Sequence, residues 1–279
     1  DQFKDKNEGG FFNCGIAEAN MMGVAAGMAL SGLRPIIYTI TPFTTTRCYE
    51  QIRVDACYHN VPVIIVGTGS GLSYAELGPT HHSCEDLAIM RVLPNMTVLA
   101  PADEVELRQC LRTALKLKGP VYIRIGKKGE KITPKNDDKF EIGRSITVRE
   151  GSDVCLISTG TLLPIVMEAA SKLAVQGITA RVESFHTIKP LDEGTLADVF
   201  SRFPVVSVIE EHSRIGGLGG SVSEWLARQD RTKGRLFLFG TDDKFMHEVG
   251  TQEYARAKYG LTAENIALKI LAAHGKTTR

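Results

Sequence analysis

The run Val61-Pro-Val-Ile-Ile-Val66 constrains this chain more than any other feature. A strand with no polar member cannot set one face in water, so it belongs to a sheet covered on both faces. Arg34-Pro-Ile-Ile-Tyr-Thr-Ile40 reads as a second buried strand. Sheets covered in this way are mainly parallel, and helices supply the crossovers. Helical patterns fall where such crossovers are needed. Gly15 to Leu30 is rich in small residues, and Arg47 to Tyr58 turns Ile52 and Ala56 inward. A short helix follows at Glu85–Arg91. A longer one runs from Asp103 to Leu117, where Asp103 and Glu106 make a capping-box-like start. Strands are expected at Thr97–Ala100 and Pro120–Ile125.

From Lys127 the sequence turns charged and turn-rich, with no apolar period. The alternation then resumes. Strands are expected at Asp153–Ser158, Thr179–Ser184, Val205–Glu210 and Arg235–Phe239. Helices are expected near Leu163–Val175, Ser221–Arg228 and Ala263–Ala273. The fold class is therefore α/β, with two layered domains and mainly parallel sheets. Residues 1–126 form the first domain, 127–141 a linker and 142–279 the second.

Composition narrows the function. The 279 residues are 43% hydrophobic and 23% charged, which excludes disordered and low-complexity classes. A formal net charge of +1 gives no support for a nucleic-acid partner. No stretch approaches the roughly 20 apolar residues of a membrane span, so no membrane partner is expected. The polar start, Asp1 to Gly10, resembles neither a signal nor a transit peptide. The six cysteines form no CxxC pair and are widely spaced. They imply no metal or disulfide framework and fit a reducing cytoplasm.

Four segments can carry chemistry. In Gly15-Ile-Ala-Glu18-Ala-Asn-Met-Met22, Glu18 is the one carboxylate in a run of small and apolar residues. It is either a first-turn acid favoured by the helix dipole, or a carboxyl group sunk in an apolar pocket. In the pocket, desolvation would raise its pKa and let it share a proton with a ligand nitrogen. Phe43 follows a strand's C-terminal end, where ligands collect in parallel sheets, and Arg47 opens the next helix. Their alternatives are core packing and a helix-terminal ion pair. Thr80-His81-His82 ends a Gly-rich loop, Gly67 to His82. Adjacent histidines diverge, so proton transfer or hydrogen bonding suits them better than metal binding; the alternative is a capped helix turn. Arg124 and Lys127, near a strand end, could hold a phosphate or carboxylate.

Taken together, these segments resemble the transketolase family of thiamine-diphosphate enzymes. GIAE at Gly15–Glu18, Phe43 followed by R-x-Y-E-Q-I-R and G-P-T-H-H with E-D-L-A-I-M-R are similar to its pyrimidine-binding domain, as are L-P-N-M-T-V and G-P-V-Y-I-R. Thr187-Ile-Lys-Pro-Leu-Asp192, Val208-Ile-Glu-Glu-His212 with Gly216-Gly-Leu-Gly219, and Gly240-Thr-Asp-Asp-Lys-Phe245 resemble its C-terminal domain. The resemblance implies that Glu18 hydrogen-bonds a ring nitrogen of the aminopyrimidine and promotes the tautomer from which the cofactor's carbanion chemistry starts. It implies that Phe43 stacks on that ring, although relatives carry the aromatic where this chain has Thr44, and that Arg47 also binds the cofactor. His81 would face substrate or cofactor amine. His82 stands where Gln is common, and Arg124 would also contact substrate. Lys127 stands where an Arg often grips the substrate phosphate, and Lys is the weaker bidentate group. Leu77 replaces an Asp that reads a sugar hydroxyl, so the substrate would differ from ordinary pentose-phosphate ketoses.

The GDG…N motif that holds Mg²⁺ at the diphosphate is absent from the sequence. Gly216 to Gly220 precedes a helix but is expected to be a structural turn. The resemblance thus implies the C-terminal subunit of a split transketolase. A partner chain would carry the diphosphate domain and Mg²⁺, in an α₂β₂ assembly acting on a sugar or sugar phosphate. Alternatives are the beta subunit of a 2-oxoacid dehydrogenase, a deoxyxylulose-phosphate-synthase-like enzyme, or a non-catalytic scaffold. Relatives place a strand and a short helix ahead of the GIAE helix, so the chain is expected to start inside its first domain.

Overall fold

The computed structural model describes residues 2–7, 9–127, 129–134 and 140–277. A short helix α1 (Gln2–Lys6) precedes α2 (Glu18–Leu30). Strand β1 (Ile36–Ile40) runs into α3 (Thr41–Thr44). A 3₁₀ turn at Thr46–Cys48, α4 (Tyr49–Gln51) and a π-helical stretch at Ile52–Tyr58 follow. The helix expected over Arg47–Tyr58 is thus three differently wound pieces. The wide π turn lets Ile52, Ala56 and Cys57 all reach the core, a spacing that an ordinary helix would spread over more than one face.

The first domain continues with β2 (Ile64–Thr68), α5 (Asp86–Arg91), β3 (Thr97–Leu99), α6 (Glu104–Ala114) and β4 (Val121–Arg124). The Asp103 carboxylate accepts hydrogen bonds from the Val105 and Glu106 amides and starts α6 as the sequence signalled. The second domain has β5 (Ile146–Arg149), β6 (Val154–Ser158), α7 (Leu163–Val175), β7 (Ala180–Ser184), β8 (Thr187–Lys189) and α8 (Glu193–Arg202). It ends with β9 (Val205–Ser213), α9 (Leu218–Leu226), β10 (Arg235–Thr241), α10 (Gln252–Lys258) and α11 (Ala263–Thr277). Strands β5 and β8 and helices α8 and α10 lie outside the elements expected from periodicity. Where described, residues 127–141 form neither helix nor strand; Lys128 and residues 135–139 lie outside the described residues.

The sheets have five strands each, ordered β1-β2-β4-β3-β8 and β10-β9-β6-β7-β5. Within each, one edge strand is antiparallel: β8 beside β3, and β5 beside β7. All other pairings are parallel. The run at 61–66 behaves as its composition requires. Ile64 and Val66 pack toward Cys110 and Ala114 of α6, while Val63 and Ile65 enter the core on the opposite face. That second core is continuous with the other domain, taking in Cys155, Val206, Phe200 and Trp225. Strand β8 strengthens the union, because a segment of the second half completes the first sheet.

Candidate active site

Glu18 is the first residue of α2, and its carboxylate is buried. Both of its oxygens lie 3.0 Å from Nη1 of Arg47. The apolar pocket expected around Glu18 is therefore not found: a guanidinium faces the carboxylate instead. Cys48, next to Arg47, is pushed up to about 11 by burial and by the Glu18 charge, so its thiol is a poor nucleophile.

The guanidinium carbon of Arg47 sits 3.9 Å from the centre of the Phe43 ring. Phe43 lies on α3, capping the C-terminal end of β1, and its ring meets His81 edge-on at 5.3 Å. Thr44, where relatives carry the aromatic, is buried, and its hydroxyl donates to the Ile40 carbonyl at 3.0 Å. Phe43 is thus the aromatic brought beside Arg47. His81 accepts or donates at Nδ1 with the Thr80 hydroxyl at 3.0 Å and also approaches Tyr74, with ring centres 6.2 Å apart. Lys127 lies 4.7 Å above the Tyr74 ring and pairs with Glu76. A single row results: Glu18, Arg47, Phe43, His81, Tyr74, Lys127, Glu76. It crosses the ends of β1, β2 and β4, the carboxyl edge where parallel α/β sheets bind ligands.

The Gly-rich loop after β2 builds the middle of this row. Gly69 has φ +71°, and a Cβ there would lie 1.9 Å from the Tyr74 ring, so glycine makes room for the tyrosine. Gly71 has φ +60°, and its Cβ would meet the Glu211 carbonyl at 2.7 Å. Leu77 is about half exposed beside Glu76. Tyr74 and Glu76 escape the reading of the sequence, because a loop has no period to mark which side chains converge.

The two histidines part company. His81 joins the row, whereas His82 lines an interdomain cleft of about 240 Å³ with Leu72, Cys84, Asp242 and Phe245. Its Nε2 is enclosed without a hydrogen-bond partner among the described residues. Burial pushes the His82 ring below its ordinary value of 6.5. Among the described residues no group of three or more His, Cys, Asp and Glu side chains could hold a metal ion.

Arg124 does not reach the row. Its guanidinium is buried, donating to Asp86 Oδ2 at 2.8 Å and to the carbonyls of Ser83 and Glu211 at 3.0 and 2.8 Å. The substrate contact expected of it is replaced by a domain-joining role. The Gly216–Gly220 segment also has its anion seat filled from within. Glu210 accepts the amides of Leu218 and Gly219, each at 2.8 Å, at the start of α9. No seat remains there for an external phosphate. All six cysteines are free. No helix among the described residues is long and apolar enough to cross a membrane.

A buried carboxylate opens a helix, its arginine lies over an aromatic ring, a histidine meets that ring edge-on, and two mainly parallel sheets share one core: an α/β protein with its candidate site at a sheet's carboxyl edge. Comparison with known proteins gives the family. The transketolase pyrimidine-binding domain matches residues 1–129, and the transketolase C-terminal domain matches residues 143–266. The chain belongs to the transketolase family. A protein named as a transketolase C-terminal section in Methanocaldococcus jannaschii is 39% identical over 94% of this chain and 82% of its own length. A 6-deoxy-6-sulfo-D-fructose transketolase subunit of a Clostridium species is 37% identical over 100% of this chain and 84% of its own. The 1-deoxy-D-xylulose-5-phosphate synthase of Dictyoglomus thermophilum is 36% identical, but the match covers 42% of that enzyme. Among solved structures, a split-gene transketolase, an inactive beta4 tetramer, matches with TM-score 0.83 and 38% identity over 96% of this chain and 83% of the other. A Pichia stipitis transketolase mutant shares the fold, at TM-score 0.79 and 21% identity over 94% and 37%.

Proposed function

We propose that this chain is the C-terminal subunit of a thiamine-diphosphate-dependent transketolase, moving a two-carbon ketol unit from a ketose to an aldose. A partner chain carries the diphosphate and Mg²⁺ domain, and the working assembly is α₂β₂ in the cytoplasm. The observation that carries this reading is the buried Glu18 carboxylate in contact order with Phe43 and His81.

These residues fit the cofactor's aminopyrimidine. Glu18 offers a carboxylate to a ring nitrogen, and Phe43 offers a face for stacking. Bound there, the cofactor supplies carbanion chemistry that no side chain of this protein can. The chain's own part is to hold a proton at Glu18, orient the ring on Phe43 and present His81 to the sugar. Lys127 faces the substrate's far end, but its charge is shared with Glu76, so phosphate is gripped less firmly than by an unpaired Arg. Leu77 offers no hydrogen bond to a sugar hydroxyl. Both features support a modified sugar, and a relative named for a sulfo-sugar supports the same class.

The test is reconstitution with a companion chain bearing GDG…N. Ketol transfer should require both chains, thiamine diphosphate and Mg²⁺. Glu18→Gln in the complex should lower turnover by about 10²–10⁴-fold, the range of a lost proton-transfer partner. An unchanged rate refutes the role of Glu18. The match to deoxyxylulose-phosphate synthases gives a second reading. Formation of 1-deoxy-D-xylulose 5-phosphate by the same complex would establish it instead.

A further inference from the structure

The Arg47 side chain satisfies, by itself, both groups that an aminopyrimidine needs. Nη1 lies 3.0 Å from each Glu18 oxygen, and the guanidinium carbon lies 3.9 Å from the Phe43 ring centre. A guanidinium is a flat N–C–N unit with in-plane N–H donors and a face that stacks on aromatic rings. An aminopyrimidine likewise presents an in-plane ring nitrogen to a carboxylate and a face to an aromatic. Both groups cannot use Glu18 and Phe43 at once. Among the described residues Glu18 is the sole hydrogen-bond acceptor of Arg47. The two ends of the pair differ in access: the Glu18 side chain is 9% exposed and that of Arg47 43%. The carboxylate is fixed at the start of α2, whereas the guanidinium can leave for water.

We infer that Arg47 is a resident stand-in for the cofactor ring, closing the pyrimidine seat until a ligand displaces it. The inference rests on Glu18 and Phe43 being that seat. It changes the role of Arg47 from a group that holds the cofactor to one that competes with it. The seat of the resting chain is then neither empty nor hydrated, and binding of the ring is an exchange of one planar partner for another.

The experiment measures binding of 4-amino-5-hydroxymethyl-2-methylpyrimidine to the full chain by calorimetry and ligand-observed NMR. Parent, Arg47→Ala and Arg47→Lys are compared after thermal unfolding has shown each to be folded. Arg47→Ala should bind the pyrimidine about tenfold more tightly, because an ion pair with a half-exposed cation and a cation–π contact no longer have to be broken. Arg47→Lys should fall between, since an ammonium pairs with Glu18 but cannot lie flat on Phe43. Methylguanidinium should compete with the pyrimidine in Arg47→Ala and leave the parent unaffected, a result no merely structural role produces. Equal or weaker binding by Arg47→Ala overturns the stand-in and leaves the seat itself intact. Absence of binding in all three overturns both the stand-in and the seat.

Discussion

Glu18 and Glu211 are both buried carboxylates facing an arginine, and the two surroundings could hardly differ more. Glu211, on β9, also accepts the Leu72 amide at 2.7 Å and the Gln252 side-chain amide at 2.8 Å. Its arginine, Arg256, is 13% exposed and bonds Thr161 as well. Those partners come from the loop after β2, from α10 and from the segment before α7, so the acid ties both domains together. Among the described residues Glu18 has one hydrogen-bonding partner, and that partner is nearly half exposed. The same chemical pair is a fastening in one place and an openable contact in the other. What separates them is the number of additional donors and the route of the cation to water.

Glu211→Ala should give the largest effect, a loss of about 3–5 kcal/mol, because it strands a buried arginine and an amide. Denaturant unfolding checks this, and a loss below that range would dissolve the contrast. Tyr122→Phe probes the neighbouring buried cluster, where the phenol donates to Asp86 Oδ2 at 2.7 Å. A loss of about 1.5–3 kcal/mol is expected for a hydrogen bond to a buried charge. Glu18→Ala should cost about 0–1 kcal/mol, since Arg47 can then be hydrated. A cost like that of Glu211→Ala would show that the Arg47 pair is fixed after all.

The smallest effect belongs to His82. Burial depresses its pKa in the folded chain. Just below the ordinary value of 6.5 the unfolded chain therefore binds more protons. Stability is lost as pH falls from neutrality through that value. His82→Gln should flatten this slope in paired melts across pH 7 to pH 5.5, and an unaltered slope would place the burial elsewhere.

The strands at 61–66 and 205–210 were readable because a continuous apolar run has few other uses. Glu18 stood out because a lone acid in such a helix breaks the pattern. Arg47 stood out too, but its pairing with Glu18 did not, since sequence spacing carries no record of a contact between positions 18 and 47. Arg124 was misplaced for a related reason. A cation near a strand end can point outward to ligand or inward to Asp86, and the choice rests on a carboxylate 38 residues away. Strands β5 and β8 are short and owe their state to antiparallel partners brought to them by tertiary structure. Tyr74 depends on the space left at Gly69, a matter of backbone conformation.

The crossing of β8 into the first sheet bears on where a gene of this family can be divided. A break within residues 127–141 would take β8 away from β3 and leave that edge with bare amides and carbonyls, ready to pair with another chain. It would also open the core that runs unbroken from Val63 to Trp225. The two domains are therefore one packing unit, and a cut that leaves both sheets whole falls outside the pair.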